Sequence, residues 1–188
     1  MRWWTLLLGG TLLVCAAARA EEAKPNLVIY IAPHEYSHEV RLGIIPVYII
    51  WARNGPALER AARSALKPHF NEIELCQGSN AGDVVVWLKP ELRFSGLYAT
   101  YSADVTAQFY RADGKPIGTL QATGYQQSTI GTLMIQEHVQ MAYDKAMQEI
   151  ARKYAADHAL QQAIDPTVAR SPCAMAPLIP VTTTKDKP

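Results

Sequence analysis

Residues 84–110, VVVWLKPELRFSGLYATYSADVTAQFY, decide the fold of this chain. Apolar and polar side chains alternate along both halves of the segment, which is the two-residue period of a β-strand with one buried face. The inward-facing set consists of Val84, Val86, Leu88, Leu92 and Phe94 in the first half, and of Leu97, Ala99, Tyr101, Ala103, Val105, Ala107 and Phe109 in the second. With a turn at Ser95-Gly96, the segment predicts two long antiparallel strands covered on one side.

The residues that follow extend this pattern. Asp113-Gly114 is a favoured hairpin dipeptide, and residues 116–124 then predict a third strand of the same meander. A helix is expected to begin at Ser128 or Thr129, because an apolar stripe with helical spacing comes next. That stripe comprises Ile135, Val139, Ala142, Tyr143, Ala146, Ile150 and Tyr154.

The residues that precede the pair predict further strands and a helix. Residues 26–32 (NLVIYIA) and 44–51 (IIPVYIIW) are β-branched and aromatic, and Pro46 inside the second run indicates an edge strand or a bulge. Asn54 is a suitable N-cap for a helix, and residues 72–76 predict a short strand after it. The apolar positions of that helix are Leu58, Ala62, Ala65, Leu66 and Phe70.

Together these elements predict an α+β fold. Five or six antiparallel strands and two amphipathic helices bury their apolar faces most simply as a two-layer sandwich, with both helices on one face of the sheet. The other face is expected to be solvated and able to bind a ligand. Its candidate aromatic residues are Trp87, Tyr98 and Tyr110. One domain over residues 21–164 accommodates the whole pattern.

Residues 1–20 are typical of a secretory signal peptide, because an apolar run is followed by the small-x-small sequence Ala18-Arg19-Ala20. Export to the periplasm or beyond is therefore expected. No later run reaches the length of a transmembrane helix. A lipid anchor on Cys15 is disfavoured, because Val14 stands where lipoprotein signals carry a small residue.

Two cysteines, Cys76 and Cys173, remain after removal of this leader. In an oxidising compartment a single disulfide between them is predicted, and two unrelated thiols are the alternative. Cys173 lies in a tail, residues 165–188, whose prolines and threonines predict extended or disordered chain. The 18 basic and 17 acidic side chains nearly balance, which argues against a nucleic-acid-binding surface.

One short motif is typical of a specific catalytic function. Residues 34–38, HEYSH, fit the H-E-x-x-H signature of zinc proteases. If the motif is functional, His34 and His38 bind zinc from one face of a helix and Glu35 acts as the general base. Glu59 is then a possible third ligand.

The surroundings of this motif favour a different interpretation. In zinc proteases of this type the helix begins well before the first histidine, whereas Pro33 allows a helix to begin only at His34. A polar connection between two strands is the favoured interpretation, and a small zinc-dependent hydrolase and a noncatalytic metal site are the alternatives. No G-x-S-x-G sequence or phosphate-binding loop occurs elsewhere, so no cofactor other than that alternative zinc is expected.

The order of elements resembles a known group of proteins. The segments that carry the resemblance are 54–75 (NGPALERAARSALKPHFNEIEL), 83–94 (DVVVWLKPELRF), 101–110 (YSADVTAQFY), 112–118 (ADGKPIG) and 140–155 (QMAYDKAMQEIARKYA). They are similar to small Gram-negative envelope accessory domains of the outer-membrane lipoprotein type, such as the lipopolysaccharide-assembly accessory subunit and related domains of unknown function. The resemblance implies a noncatalytic protein that binds another envelope protein or an envelope ligand.

The sequence therefore leads to two functional hypotheses. The first is an exported binding or assembly module of the bacterial cell envelope, which engages its partner through the exposed sheet face or an edge strand. The second is the zinc hydrolase. Neither involves nucleic acid.

Overall fold

The computed structural model describes residues 24–45, 48–77, 80, 82–128, 135–164 and 173. The predicted leader, Pro46 and Thr129 lie outside these residues, as does all of the predicted tail, residues 165–188, except Cys173. Within the described part, no helix is both long and apolar enough to cross a bilayer.

The elements of the described chain follow one another in this order: β1 (Leu27–Tyr30), α1 (Pro33–Tyr36), β2 (Glu39–Ile45), β3 (Tyr48–Arg53), α2 (Asn54–Leu66), β4 (Ile73–Leu75), β5 (Val84–Ser95), β6 (Thr100–Arg111), β7 (Pro116–Gln127), α3 (Ile135–Ala156) and α4 (His158–Gln162). Five strands form one sheet in the order β4-β1-β5-β6-β7, and β2 pairs with β3 in a separate two-stranded sheet.

The predicted meander is present. Strand β5 pairs with β6 and β6 with β7, both antiparallel. Gly114 has a positive φ of 84° in the turn between β6 and β7, where the Asp-Gly dipeptide was expected to sit. The predicted alternation is also confirmed, since the inward side chains of β6 are at most 1% exposed. Those side chains belong to Tyr101, Ala103, Val105, Ala107 and Phe109.

The prediction of a wholly antiparallel sheet is wrong for the other half. Strand β1 runs parallel to β4 on one side and to β5 on the other, so the sheet is mixed. Parallel pairing joins segments that are far apart in the chain and needs no local turn, so no dipeptide signals it. Here the crossover from β1 to β4 carries α2, which packs beside α3 on the same face of the sheet.

Three boundaries also differ from the prediction. Residues 44–51 belong to two strands, β2 and β3, which pair antiparallel. Residues 97–99 form the turn between β5 and β6 and do not continue β6, and Ala99 there has a positive φ of 47°. Asn54 is the first residue of α2 and is buried, whereas Arg53 occupies the N-cap.

The second face of the sheet is only partly solvated, contrary to prediction. Val28, Val85 and Cys173 are buried together on this face, at its β1–β5 end. The predicted disulfide between Cys76 and Cys173 is present and joins Cys173 to the end of β4 beside this face of the sheet. The face is open over β6 and β7, where the outward side chains are half-buried or exposed.

Helix α3 packs across the inner face of β6 and β7. Gly124 is the point of closest approach, because a Cβ atom there would overlap the carbonyl oxygen of Ala142 and come within 2.6 Å of the Ala146 nitrogen. Ala122 is also small, and a Cβ on Gly118 would meet Leu160 of α4. These small residues let the helix lie directly on the last strand of the sheet.

Candidate functional site

Strand β7 is one end of the five-stranded sheet, and within the described residues its single neighbour is β6. The register pairs Ala103 with Gly124 and Tyr101 with Gln126, and Ser128 N donates to Ala99 O at 2.7 Å in the same register. Backbone groups alternate in direction along an antiparallel strand. The even-numbered residues of β7 therefore bond to β6, and the odd-numbered residues turn their N–H and C=O groups to the open edge.

The odd-numbered residues make this edge polar without being charged. Their side chains lie on the outer face of the sheet, since successive side chains point to opposite faces. From residue 119 onward all of them are exposed, and they are Thr119, Gln121, Thr123, Tyr125 and Gln127. No charged side chain occurs anywhere between Pro116 and Gln127.

Two lysines of α3 reach this edge from the inner side. Lys145 Nζ donates to Tyr125 O at 2.9 Å and to Gln126 Oε1 at 3.1 Å. Lys153 Nζ donates to Gln121 O at 2.6 Å. These two carbonyls belong to the odd-numbered set, which independently supports the direction of the open backbone groups.

The spacing of the lysines follows from the two geometries. Lys145 and Lys153 are eight residues apart on a helix that rises about 1.5 Å per residue, or roughly 12 Å. Gln121 and Tyr125 are four residues apart on a strand that rises about 3.4 Å per residue, or roughly 13 Å. The distance between the two ammonium groups therefore matches the distance between the carbonyls of Gln121 and Tyr125, which are separated by one further outward carbonyl, that of Thr123.

The outer face beside this edge carries an ion-pair network. Arg93 of β5 bonds to Asp104 of β6 at 2.5 Å and to Glu91 at 3.1 Å. Asp104 also accepts a hydrogen bond from the Thr123 hydroxyl of β7. Because these groups are partly or fully exposed to solvent, the network contributes little to the stability of the fold. Its main effect is to make the outer face of the sheet polar.

The other end of the sheet, β4, is a poorer edge. It is only three residues long, and Arg63 of α2 donates from its guanidinium to the outward Ile73 carbonyl. A polar cleft of about 450 Å³ adjoins it. The cleft is lined by Tyr36, Glu59, Arg63, Ile73, Glu74, Leu75, Gln77 and Asn80.

The predicted zinc residues do not converge. Helix α1 is a single turn that ends at Tyr36, so His38 lies beyond it, and both His34 and His38 are exposed. Glu59 already accepts from the Tyr36 hydroxyl at 2.8 Å and from Arg63 Nε at 2.9 Å. Among the residues that the structure describes, no group of three or more histidine, cysteine, aspartate or glutamate side chains is placed to hold a metal ion.

Glu35, the proposed general base, has an unusual environment. Burial raises the pKa of its carboxyl group, an effect that nearby His34 and Lys89 oppose. One of its oxygens, Oε2, is buried with no hydrogen-bond partner in the described chain.

The three ligand-face candidates are also separated. Trp87 is only 4% exposed, and its ring contacts Tyr30 edge-on at 6.0 Å and Lys89 Nζ at 3.9 Å. Tyr98 is 69% exposed at the β5–β6 turn. Tyr110 packs near the disulfide and donates to Gln108 Oε1 at 3.0 Å. Trp87 and Tyr110 thus lie on the same face of neighbouring strands, where Trp87 is buried, whereas Tyr98 lies at the turn between these strands.

Sequence reasoning missed the contribution of α3 to the edge. Lys145 and Lys153 fall on the polar side of the helical pattern, which predicts exposure to water and nothing more. The position of β7 as last strand of a meander predicts an edge, but the reach of the lysines depends on how closely α3 lies on Gly124.

Comparisons with known proteins give distant likenesses. No family model and no curated protein matches the chain. One solved structure that matches is a protein assigned as a lipoprotein of Caulobacter crescentus CB15, with 19% identity, a TM-score of 0.38, and coverage of 60% of this chain and 85% of that one. Another is a minor lipoprotein from Acinetobacter baumannii, with 16% identity, a TM-score of 0.37, and coverage of 70% and 93%. Likeness at this level assigns neither family nor function.

Proposed function

We propose that this protein is a noncatalytic binding module of the bacterial cell envelope, which takes up an extended segment of a partner protein along strand β7. The observation that carries the proposal is the row of outward backbone groups on the odd-numbered residues 119–125. In the described chain this row has no strand partner. Placement in the envelope rests on the signal-peptide pattern of residues 1–20.

Strand addition suits the chemistry of this edge. An extended segment gains main-chain hydrogen bonds from the edge strand, and alternate side chains then set specificity. A segment of about six residues, roughly 20 Å long, would pair with the central part of β7. Its outward side chains would continue the polar surface formed by Gln121, Thr123 and Tyr125.

The edge also carries a feature by which natural proteins protect exposed strands against nonspecific pairing. Long edges tend to pair with any available strand, and lysines are a common means of preventing this. Here Lys145 and Lys153 bind two outward carbonyls, and among the described residues no hydrogen bond from the outward N–H groups of β7 is formed. The edge is thus protected against nonspecific pairing without being closed by another strand.

A proline substitution tests the proposal. Thr123→Pro removes one outward N–H and leaves the ladder to β6 complete, so the fold is expected to persist, as proline is tolerated on edge strands. Thr123→Val is the matched control, since it removes the same hydroxyl but keeps the N–H. A photoreactive amino acid at Gln121 of the exported full chain would report the partner in cells.

The expected result is a specific crosslinked partner that persists with Thr123→Val and falls about tenfold with Thr123→Pro, while the melting temperature of both variants stays within a few degrees. Equal crosslinking in the two variants would show that the partner does not bind through the β7 backbone. Recovery of the protein alone in all forms would count against a binding function at this edge.

A further inference from the structure

We infer that the segment bound at β7 carries two carboxylates four residues apart on the side facing α3, and that Lys145 and Lys153 are the groups that bind them. This inference rests on the function proposed above and specifies its partner. The first step is that both ammonium groups now occupy carbonyls that an added strand would require, those of Gln121 and Tyr125.

Strand addition must therefore displace both lysines. Each ammonium would lose its carbonyl acceptor at the moment when the incoming backbone takes that place. Water can hydrate each displaced ammonium, because both groups are exposed. A partner that supplies a carboxylate beside each of them forms a charge-assisted hydrogen bond, which is stronger than the bond to a neutral carbonyl that it replaces.

The protein itself offers these ammonium groups little negative charge. No carboxylate of the described chain lies within 4.0 Å of Lys145 Nζ, and that of Glu149 lies 3.9 Å from Lys153 Nζ while bonding Arg152 at 2.6 Å. Strand β7 adds no charge of its own. An acidic segment is thus complementary to this part of the surface, and a basic one is repelled.

The spacing of the lysines fixes the spacing of the acids. Gln121 and Tyr125 lie four residues apart, and side chains on one face of a strand recur every second residue. Two carboxylates in an acid-x-x-x-acid pattern therefore lie on the same side of an incoming strand. When that side faces α3, each carboxylate lies next to one displaced lysine.

A pair of synthetic peptides tests the inference on the purified full chain. One peptide alternates threonine and valine and carries two glutamates four residues apart on the valine side, and the other has glutamines in their place. Binding is followed by titration, and the site by the amide signals of residues 119–127. The protein variants are Lys145→Gln with Lys153→Gln, and Arg152→Gln as a control that removes a positive charge from the same helix.

The glutamate peptide is expected to bind about tenfold more tightly than the glutamine peptide, as two partly exposed ion pairs allow. This preference should disappear in the double lysine variant, persist in Arg152→Gln, and weaken at high salt. Equal binding of both peptides along β7 would overturn the inference and leave the proposed function standing.

Two further outcomes would also overturn it. If the double lysine variant self-associates while neither peptide is preferred, the lysines serve only to protect the edge. If neither peptide binds, acidic segments are not the partner, and the proline test then decides separately whether β7 is a binding edge.

Discussion

At the scale of single residues, Gly124 determines how the sheet and α3 fit together. Its missing side chain lets β7 contact the helix backbone at Ala142 and Ala146. Because both neighbours are backbone atoms, neither can rotate away from an added methyl group. The lysine contacts to the edge depend on this close approach.

Gly124→Ala is accordingly expected to lower the free energy of unfolding by about 3 kcal/mol, the upper part of the range for overpacking. Urea denaturation followed by circular dichroism measures the change. Gly96→Ala is the control, since an added Cβ there has its nearest contact at 3.9 Å, and it should change stability by less than about 0.5 kcal/mol. Similar losses in the two variants would contradict the packing described for Gly124.

Trp87 illustrates what residue patterns leave out. Its alternation within β5 predicts the outer face of the sheet, and it lies there. Its ring contacts Tyr30 of β1, which comes from a distant part of the chain. Periodicity assigns a face to a side chain but cannot say what covers that face.

At the scale of elements, the short length of α1 determines whether His34 and His38 can bind one metal ion. The helix begins at Pro33, one residue before the predicted start at His34, and it ends at Tyr36, after which the chain enters β2. Two imidazoles bind one ion from a helix only when both lie on it.

We therefore expect protein purified without a histidine tag to contain less than about 0.1 zinc per chain, because the tetrahedral site of a zinc enzyme requires three protein ligands. Elemental analysis checks this directly. The double variant His34→Ala with His38→Ala should give the same value. A stoichiometric zinc content that the double variant abolishes would revive the hydrolase hypothesis.

The elements differ in how well they could be predicted. Local periodicity and turn residues predict five of the elements, namely strands β5, β6 and β7 and helices α2 and α3. Strands β1 and β4 pair in parallel across a long crossover, so their partners leave no local trace. The 44–51 run is apolar throughout, and such a run does not reveal a chain reversal within it.

At the scale of the whole molecule, the sandwich of a sheet and two helices follows from the sequence, whereas the mixed sheet and the covered outer face do not. The candidate site was predictable as an edge strand in general terms. Its identification as β7, with lysines supplied by α3, requires the tertiary arrangement of both elements.

The Cys76–Cys173 disulfide closes a loop with a sequence separation of 97 residues, and it contributes to the stability of the entire domain. Replacing both cysteines by serine is expected to lower the free energy of unfolding by about 3 kcal/mol, within the usual range for loops of this size. Urea denaturation with and without a reducing agent measures the effect.

The reducing agent should destabilise the native protein by a similar amount and leave the double variant unchanged. No response of the native protein to reduction would indicate that the two thiols are not joined in solution.

The same bond has a practical consequence for following the protein during degradation. A single proteolytic cut anywhere between Cys76 and Cys173 leaves both fragments in one covalent molecule. Such nicked chains migrate near the intact protein on a gel until the sample is reduced. Cleavage within the β5–β6 turn or after β7 would thus become visible only under reducing conditions.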